Sequence, residues 1–192
     1  ADQIAHQVEP IKVVLVAGPS SAGKTTFTKR LAVQLRVNGI YPISISVDNY
    51  YLNWEQMPKL PDGRYDFETI HALDLSLLNQ HLTELLEGKD ILQPDFNFAT
   101  GRRTEPETWK KLSLQKGQIL MIEGIHGLNP QLTKSIPDEF KFRIFINALT
   151  QLNLDRGNRQ FTSETRLLRR IVRDRRYRGY STAETIEKWP LV

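Results

Sequence analysis

A run of branched apolar residues, Val13–Val16, leads directly into a glycine-bounded loop and then into a helical pattern of apolar residues. The loop has the pattern G-x-x-x-x-G-K-T, with Gly18 and Gly23 at its ends and Lys24 and Thr25 closing it. Glycine allows a tight turn and a close approach to phosphate, because it carries no Cβ. The N–H groups of such a loop and the positive end of the following helix attract an anion. The strand, loop and helix therefore predict a phosphate-binding loop, or P-loop.

The loop residues have distinct expected roles. Lys24 should reach the β- and γ-phosphates of a nucleoside triphosphate, and the Thr25 hydroxyl should bind Mg²⁺. A chance turn rich in glycine and serine would not have this strand before it and this helix after it. The residues predicted to bind the nucleotide here are Gly18, Pro19, Ser20, Ser21, Ala22, Gly23, Lys24, Thr25 and Thr26.

Composition restricts the class of protein. A chain of 192 residues favours a single domain that is large enough to bury a core. It has no cysteine, which excludes disulfides and thiolate metal sites. No apolar run approaches the length of a membrane span and no signal peptide is evident, so we expect a cytoplasmic protein without a membrane partner. The net charge of +4, with its excess near the C-terminus, suggests a polyanionic ligand such as a nucleoside triphosphate or a nucleic acid.

Further buried strands follow the first one. Strand, helix and strand in this succession imply parallel pairing through a right-handed crossover. Residues 1–10 look like the end of a helix, the P-loop helix is expected over residues 23–38, and leucines at helical spacing predict a core-facing helix between Leu73 and Leu86. The predicted strands are Ile11–Ala17, Ile43–Val47, Gln118–Gly124 and Phe142–Ile146.

Two acids lie at the ends of predicted strands. Ligands of open parallel sheets bind beyond the carboxyl ends of the strands, which places Asp48 near the phosphates of a bound nucleotide. Asp48 could accept a proton from an attacking hydroxyl or hold Mg²⁺ through water, and the alternative is an aspartate that caps its own turn. Glu123 ends an apolar strand, as a magnesium-orienting acid does, and the alternative is a salt bridge.

Three other segments have more open interpretations. Residues 52–66 are predicted to form a loop over the site, and His71 and His81 to be surface or capping residues. Pro94–Arg103 alternates around Phe96 and Phe98, so it could form one arm of a hairpin whose second arm lies near residues 109–114. These aromatic residues could stack on a base or fill a small core.

A basic helix is predicted from Glu164 onwards. Four of its arginines share one broad face, where they would repel one another unless a polyanion neutralised them. Arginines of a lid act in this way on transferring phosphates, and the alternative is a solvated basic face or an RNA-binding patch. The arginines are Arg166, Arg169, Arg170 and Arg173, and the predicted buried side consists of Leu167, Leu168, Ile171 and Val172.

Several of these segments together resemble the uridine kinase/phosphoribulokinase family. The resemblance implies an α/β fold of the P-loop NTPase type: three α/β/α layers with a parallel sheet, plus a small β-hairpin and a helical lid. It implies phosphoryl transfer from ATP or GTP, with Mg²⁺, to the hydroxyl of a small molecule. The segments that carry it are Gly18–Thr26, Ser46–Tyr51, Tyr65–Asp74, Pro94–Arg103, Ile122–Gly124 and Thr165–Gly179.

The resemblance also assigns roles to residues. Asp48 would be the base, acting with Lys24, Arg169 and Arg173 in catalysis, and Arg178 would bind the nucleotide phosphates. Thr25 and Glu123 would serve the metal ion. The residues expected to contact the substrate are Asp48, Tyr51, Glu68, Phe96, Arg103 and Arg166.

The chain departs from the family pattern at the acceptor. Phe96 and Gly101 stand where uridine kinases have a tyrosine and a histidine that read the uracil edge, and Glu68 replaces an aspartate near the ribose. A site without those hydrogen-bonding groups loses its discrimination for the polar edge, so these departures argue against uridine and leave a nucleoside or related acceptor.

The chain is most similar to a uridine-kinase-like subgroup in which the kinase domain follows a region resembling threonyl-tRNA synthetase. This implies a helix remnant at residues 1–10 and a kinase domain at residues 11–192 that is truncated at its C-terminus. A homo-oligomer is left open, and a nucleic-acid partner is not expected. The alternatives are a P-loop NTPase with a regulatory role and an RNA-associated module without small-molecule kinase activity.

Overall fold

The computed structural model describes residues 1–7, 11–149, 153 and 155–192. Its helices and strands alternate over the first half of the chain, as a parallel α/β fold requires. In chain order the elements are α1 (Asp2–Ala5), β1 (Val13–Ala17), α2 (Lys24–Val37), β2 (Tyr41–Ser46), α3 (Leu75–Leu86), β3 (Ile91–Gln93), β4 (Phe96–Asn97), β5 (Arg102–Arg103), β6 (Lys110–Leu112), β7 (Gln118–Gly124), β8 (Lys141–Phe145), α4 (Thr162–Tyr177) and α5 (Thr182–Lys188).

Four parallel strands form the central sheet in the order β2-β7-β1-β8. In the register of the sheet, Val13 pairs with Leu120 of β7 on one side and with Lys141 of β8 on the other. Every residue of β1 is buried, because helices cover both faces of the sheet. The continuous apolar run that predicted this strand therefore has a physical cause, and the predicted parallel sheet is confirmed.

Each face of the sheet has its own core. Successive side chains of a strand point to opposite faces, so Val13 and Leu15 pack on one side and Val14 and Val16 on the other. The first core includes α3, and the second includes α2 together with Ile4 of α1. This arrangement gives the three α/β/α layers that were predicted. Residues 8–10 of the predicted helix remnant lie outside the described residues.

His81 corrects one prediction. Its side chain is buried, and Nδ1 lies 3.1 Å from the hydroxyl of the buried Tyr50. The spacing of leucines places His81 within the apolar face of α3, and the tyrosine hydroxyl gives the ring a partner there. His71 is exposed, as predicted.

The hairpin region differs from the predicted pairing. β4 and β5 both lie within residues 94–103 and pair with each other, whereas β6 pairs with β3 just before this segment. The reason is a tight turn after β4, where Asn97 Oδ1 accepts hydrogen bonds from the backbone N–H groups of Ala99 and Thr100. The chain therefore reverses earlier than the alternation of phenylalanines suggested.

The buried side predicted for α4 is only partly correct, because Leu167 and Ile171 are half-buried whereas Leu168 and Val172 are exposed. Leu168 is 58% exposed and Val172 is 53% exposed, while Asp174 on the same helix is 1% exposed. The arginine face of α4 is turned towards the P-loop, since Arg166 and Arg170 both bond to Ser20. Hydrogen bonds from arginines to the P-loop, rather than apolar burial, thus set the rotation of this helix.

Candidate active site

The P-loop joins β1 to α2 and is built on its two terminal glycines. Gly23 has a φ of +103° at the start of α2, a conformation that other residues adopt only with strain. A Cβ at Gly18 would collide with the carbonyl oxygen of Ile146. The loop conformation therefore depends on both glycines, as the motif predicted.

Lys24 lies within the curve of this loop. Its Nζ donates hydrogen bonds to the carbonyl oxygens of Gly18, at 2.8 Å, and Pro19, at 3.1 Å. Burial lowers the pKa of Lys24, while the charges of Glu123 and Asp48 act to raise that pKa. Backbone oxygens thus hold the ammonium group at the loop, where it could also donate a hydrogen bond to a phosphate oxygen.

Thr25 and Glu123 meet at the carboxyl end of the sheet. The Thr25 hydroxyl donates to Glu123 Oε1 at 2.9 Å. Burial is the main cause that raises the pKa of Glu123, and the nearby negative charge of Asp48 acts in the same direction. Hydroxyl and carboxylate oxygens suit Mg²⁺, which completes its shell with phosphate and water. Within the described ranges no cluster of three acids or histidines could hold a metal ion, so these two oxygens would need phosphate as a further ligand.

Asp48 lies in a short 3-10 turn, Val47–Tyr50, that follows β2. Its Oδ2 accepts a hydrogen bond from Arg178 Nη2 at 3.2 Å. Asp48, Lys24, Thr25 and Glu123 all line one cavity of about 580 Å³. The ends of three neighbouring strands therefore bring together the base, the P-loop lysine and the metal ligands that the sequence predicted separately.

The arginines of α4 close over the P-loop. Arg166 Nε donates to the backbone oxygen of Ser20 at 2.9 Å, and Arg170 Nη1 donates to the Ser20 hydroxyl at 3.2 Å. Arg169 Nη1 donates to the backbone oxygen of Ala22 at 3.4 Å. Arg173 lines the cavity, and burial lowers its pKa. The positive face of the helix thus lies where phosphates would bind.

The acceptor side holds some of the predicted substrate residues. Tyr51 and Glu68 line the cavity with Asp48. Tyr51 donates its hydroxyl proton to the backbone oxygen of Phe67 at 3.0 Å. Burial raises the pKa of Glu68, a shift that the positive charge of Arg170 partly opposes. Burial beside this space therefore favours the neutral form of the Glu68 carboxyl more than water would.

The other predicted substrate residues lie outside the cavity lining. Phe96 is buried against Tyr51 and Phe98, with ring centroids 5.5 and 5.1 Å away. Arg103 is occupied by the backbone oxygens of Tyr50 and Tyr51 and by Asp74 Oδ2. Arg166 bonds to the P-loop backbone instead. Phe96 and Arg103 thus support the turn that carries Asp48. Of the two phenylalanines in this hairpin segment, Phe98 is the one that lines the cavity.

The comparisons with known proteins agree with this geometry. The sequence profile of the Phosphoribulokinase / Uridine kinase family matches residues 13–192. The chain belongs to the phosphoribulokinase/uridine kinase family. It is therefore related to nucleotide-binding kinases with a P-loop, which are transferases, and the resemblance drawn from the sequence is confirmed.

Curated relatives are similar at modest identity. The chain is 25% identical over 177 residues to a uridine kinase of Deinococcus deserti, which covers 92% of this chain and 75% of that protein. It is 29% identical over 181 residues to a uridine kinase of Schizosaccharomyces pombe, which covers 93% of this chain and 35% of that larger protein.

Solved structures show the same fold. A possible uridine kinase from Bacillus stearothermophilus superposes with a TM-score of 0.59 at 19% identity, covering 75% of this chain and 74% of that one. D-glycerate 3-kinase from Cryptococcus neoformans superposes with a TM-score of 0.57 at 16% identity, covering 93% and 75%. The chain therefore has the P-loop kinase fold that was predicted. No helix in the described part of this family member could span a bilayer.

Among the residues at this site, Phe98 and Arg170 had only an open interpretation from the sequence, and Tyr180 and Asp174 had no assigned role. Phe98 and Tyr180 line the cavity, and Arg170 lines it while bonding to Ser20. Asp174 lies behind the arginines, where it pairs with Arg170 and Arg173. Helix α4 has two acids, Glu164 in its first turn and Asp174 among the arginines. The position of an acid among arginines was a sequence signal that could have indicated Asp174.

Proposed function

We propose that this chain transfers the γ-phosphoryl group of ATP, bound with Mg²⁺, to a hydroxyl group of a small molecule. The observation that supports this most directly is the shared cavity. Lys24 and Asp48 line the same space from neighbouring parts of the sheet edge. Arg178, at the C-terminal end of α4, donates a hydrogen bond to Asp48. A donor on the P-loop and an acceptor beside Asp48 would meet there.

Asp48 accepts the proton of the attacking hydroxyl in this proposal. Its carboxylate lies in a turn after β2, so it can approach an acceptor from the side opposite the P-loop. Arg178 donates to the same carboxylate and keeps it oriented towards the cavity. Phe98 supports Arg178 in turn, because the guanidinium carbon lies 3.8 Å from the centroid of its ring.

Charge neutralisation provides most of the remaining catalysis. Lys24, Arg169, Arg170 and Arg173 line the cavity and would bind the phosphate oxygens as charge moves during transfer. Mg²⁺, held by Thr25 and Glu123, supplies further neutralisation of the phosphates when it is bound. Closure of α4 onto the P-loop excludes water, which favours transfer to the acceptor over hydrolysis.

The acceptor belongs to the class of nucleosides and related hydroxyl compounds, with uridine disfavoured. Gly101 offers no side chain, and the Trp54 indole fills the space that one would occupy. Phe96 is buried in a cluster of aromatic rings. A polar base edge would therefore find no hydrogen-bonding side chain at either position. We place this reaction in the cytoplasm, where ATP is available.

An ATP-consumption screen tests this function. Purified protein with Mg²⁺ and ATP would be offered pyrimidine nucleosides, sugars and cofactor precursors, and phosphorylated products would be identified by mass spectrometry. Lys24→Ala serves as the control for contaminating kinases. We expect one acceptor class to stimulate ADP release with formation of its phosphate ester. ATP turnover that no acceptor changes would instead indicate a P-loop NTPase, and RNA binding that persists without ATP would indicate an RNA-associated module.

A further inference from the structure

Asp174 is the one buried carboxylate in the described part of the chain, with 1% of its surface exposed. It lies on the last turn of α4, surrounded by cationic side chains. Its Oδ1 accepts a hydrogen bond from Arg173 Nε at 2.8 Å, and its Oδ2 accepts one from Arg170 Nε at 3.2 Å. Arg178 Nε lies 3.9 Å from Oδ1. One carboxylate thus faces three guanidinium groups.

The backbone of Asp174 fixes the chain beyond the helix as well. Its carbonyl oxygen accepts hydrogen bonds from the N–H of Arg178 at 3.0 Å and the N–H of Tyr180 at 3.3 Å. Both of those residues line the cavity. The end of α4 is therefore tied to Asp174 through main chain and side chain together.

Each of the three arginines also reaches outwards from Asp174. Arg170 contacts the Ser20 hydroxyl on the P-loop, and Arg178 contacts Asp48 on the acceptor side. Arg173 lines the same cavity as Lys24. The three cations therefore connect the donor half of the site to the acceptor half, with Asp174 behind them.

We propose that Asp174 is a positioning residue that sets the orientation of Arg170, Arg173 and Arg178 towards the phosphates and towards Asp48. This inference rests on the proposed function, because it assumes that the cavity binds ATP. A guanidinium group presents several N–H donors in a fixed plane. Anchoring one edge of that plane on a buried carboxylate leaves the opposite edge directed at a ligand.

The direction in which ATP affinity changes in an Asp174 variant distinguishes a positioning role from a purely electrostatic one. Asp174→Asn removes one negative charge from behind the arginines. If Asp174 acted only through its charge, the more positive cavity would bind ATP more tightly. If Asp174 orients the arginines, its loss frees three side chains that repel one another, and ATP binds more weakly. The direction of the change in affinity therefore decides between the two roles.

The experiment compares dissociation constants for MgATP and MgADP by calorimetry in full-length variants. Asp138→Asn is the matched control, because Asp138 also pairs with two cations, Lys141 and Arg143, but lies outside the cavity lining. For Asp174→Asn we expect about a tenfold loss of ATP affinity, with a smaller loss for ADP, and no change for the control. Equal or tighter ATP binding by folded Asp174→Asn would overturn the proposal.

Asp174→Glu keeps the inference testable if the asparagine variant does not fold. It retains the charge but extends the carboxylate by one carbon in a fully packed position, so the arginines must move. We expect a loss of ATP affinity, relative to ADP, in the same direction as for Asn but smaller. A glutamate variant with wild-type affinities would overturn the proposal. Failure of the wild-type chain to bind ATP would refute the proposed function instead, which is a distinct result.

Discussion

Gly101 and Trp54 show how a single glycine shapes the acceptor side. Gly101 has a φ of +67°, and a Cβ built there would overlap the Trp54 indole ring. Trp54 also stacks on Tyr65, with ring centroids 5.4 Å apart. The backbone N–H of Trp54 donates to the carbonyl oxygen of Gly101 at 3.0 Å, which holds these two segments of the chain together. The glycine is therefore required by packing as well as by backbone conformation.

A pair of glycine variants measures this packing. Gly101→Ala should lower the free energy of unfolding by about 2–4 kcal/mol, because it combines backbone strain with displacement of Trp54. Gly63→Ala is the control, since Gly63 also has a positive φ, +84°, but nothing would lie within 4 Å of its Cβ. It should cost only about 1–2 kcal/mol. Urea unfolding of both variants checks this, and equal losses would show that Trp54 does not constrain position 101.

At the residue scale the sequence predicted the donor half of the site better than the acceptor half. Gly23 and Lys24 could be located because the P-loop spacing has a local cause, and on the acceptor side Asp48 could be located by its position after a strand. Phe96 could not be separated from Phe98 by sequence. Phe96 is buried against Tyr51, whereas Phe98 packs against Arg178 at the cavity. Such a choice depends on contacts between distant residues.

At the scale of secondary-structure elements, α3 contacts the turn that carries Asp48. His81 of α3 lies against Tyr50, with ring centroids 5.8 Å apart, and Tyr50 ends that turn. Burial lowers the pKa of His81 below its ordinary value of 6.5, although the charges of Glu84 and Asp74 oppose the shift. The neutral ring is therefore favoured in the folded state.

A pH dependence of stability follows from this shift. The unfolded chain binds a proton at His81 more readily than the folded chain does, so the contribution of the neutral ring is present above about pH 6.5 and is lost as the pH falls below that value. His81→Gln should flatten the decline of unfolding free energy between pH 7 and 5. The exposed His71→Gln is the control, and wild-type slopes in both variants would contradict the account. Some slope should remain, because burial also lowers the pKa of His126.

The rotation of α4 gives a second prediction at this scale. Leu168→Ala should change the free energy of unfolding by less than about 0.5 kcal/mol, because Leu168 is exposed. Leu82→Ala is the matched change on α3, where the side chain is fully buried, and it should cost about 2–5 kcal/mol. Thermal or urea unfolding compares them. A large loss for Leu168→Ala would mean that the apolar side of α4 is covered after all.

Elements could be predicted from sequence where buried positions form a regular pattern. They could not be predicted where the contacts of charged side chains set the orientation of an element. The strands β1 and β7 are buried on both faces, so their apolar runs identify them. α4 has arginines and apolar residues at the same helical spacing, and either face could have turned inwards. Its rotation is fixed by the contacts of Arg166 and Arg170 with Ser20, which no periodicity records.

At the scale of the whole molecule, two half-sites lie beside each other at the carboxyl ends of the strands of the central sheet. In the proposed function, the P-loop after β1 would hold the donor and the turn after β2 would face the acceptor. Strand β7 lies between β1 and β2 in the sheet. The family and the parallel sheet could be predicted from sequence, because their motifs lie at strand ends. The acceptor compound could not be predicted, since the walls of its site come from segments that are distant in the sequence and meet only in the fold. Examples are Phe67, Phe98 and Tyr180.

The central claim is that Asp48 prepares an acceptor hydroxyl for a phosphoryl group held on the P-loop. Its most direct test is the transfer of labelled γ-phosphate from ATP to the best acceptor of the screen, measured together with the Kd for ATP in Asp48→Asn. Asp62→Asn, in an exposed loop where Asp62 pairs with Arg64, is the control. We predict that kcat falls by about 10²–10⁴-fold in Asp48→Asn while its Kd for ATP stays at the wild-type value. Wild-type turnover in Asp48→Asn would contradict the account.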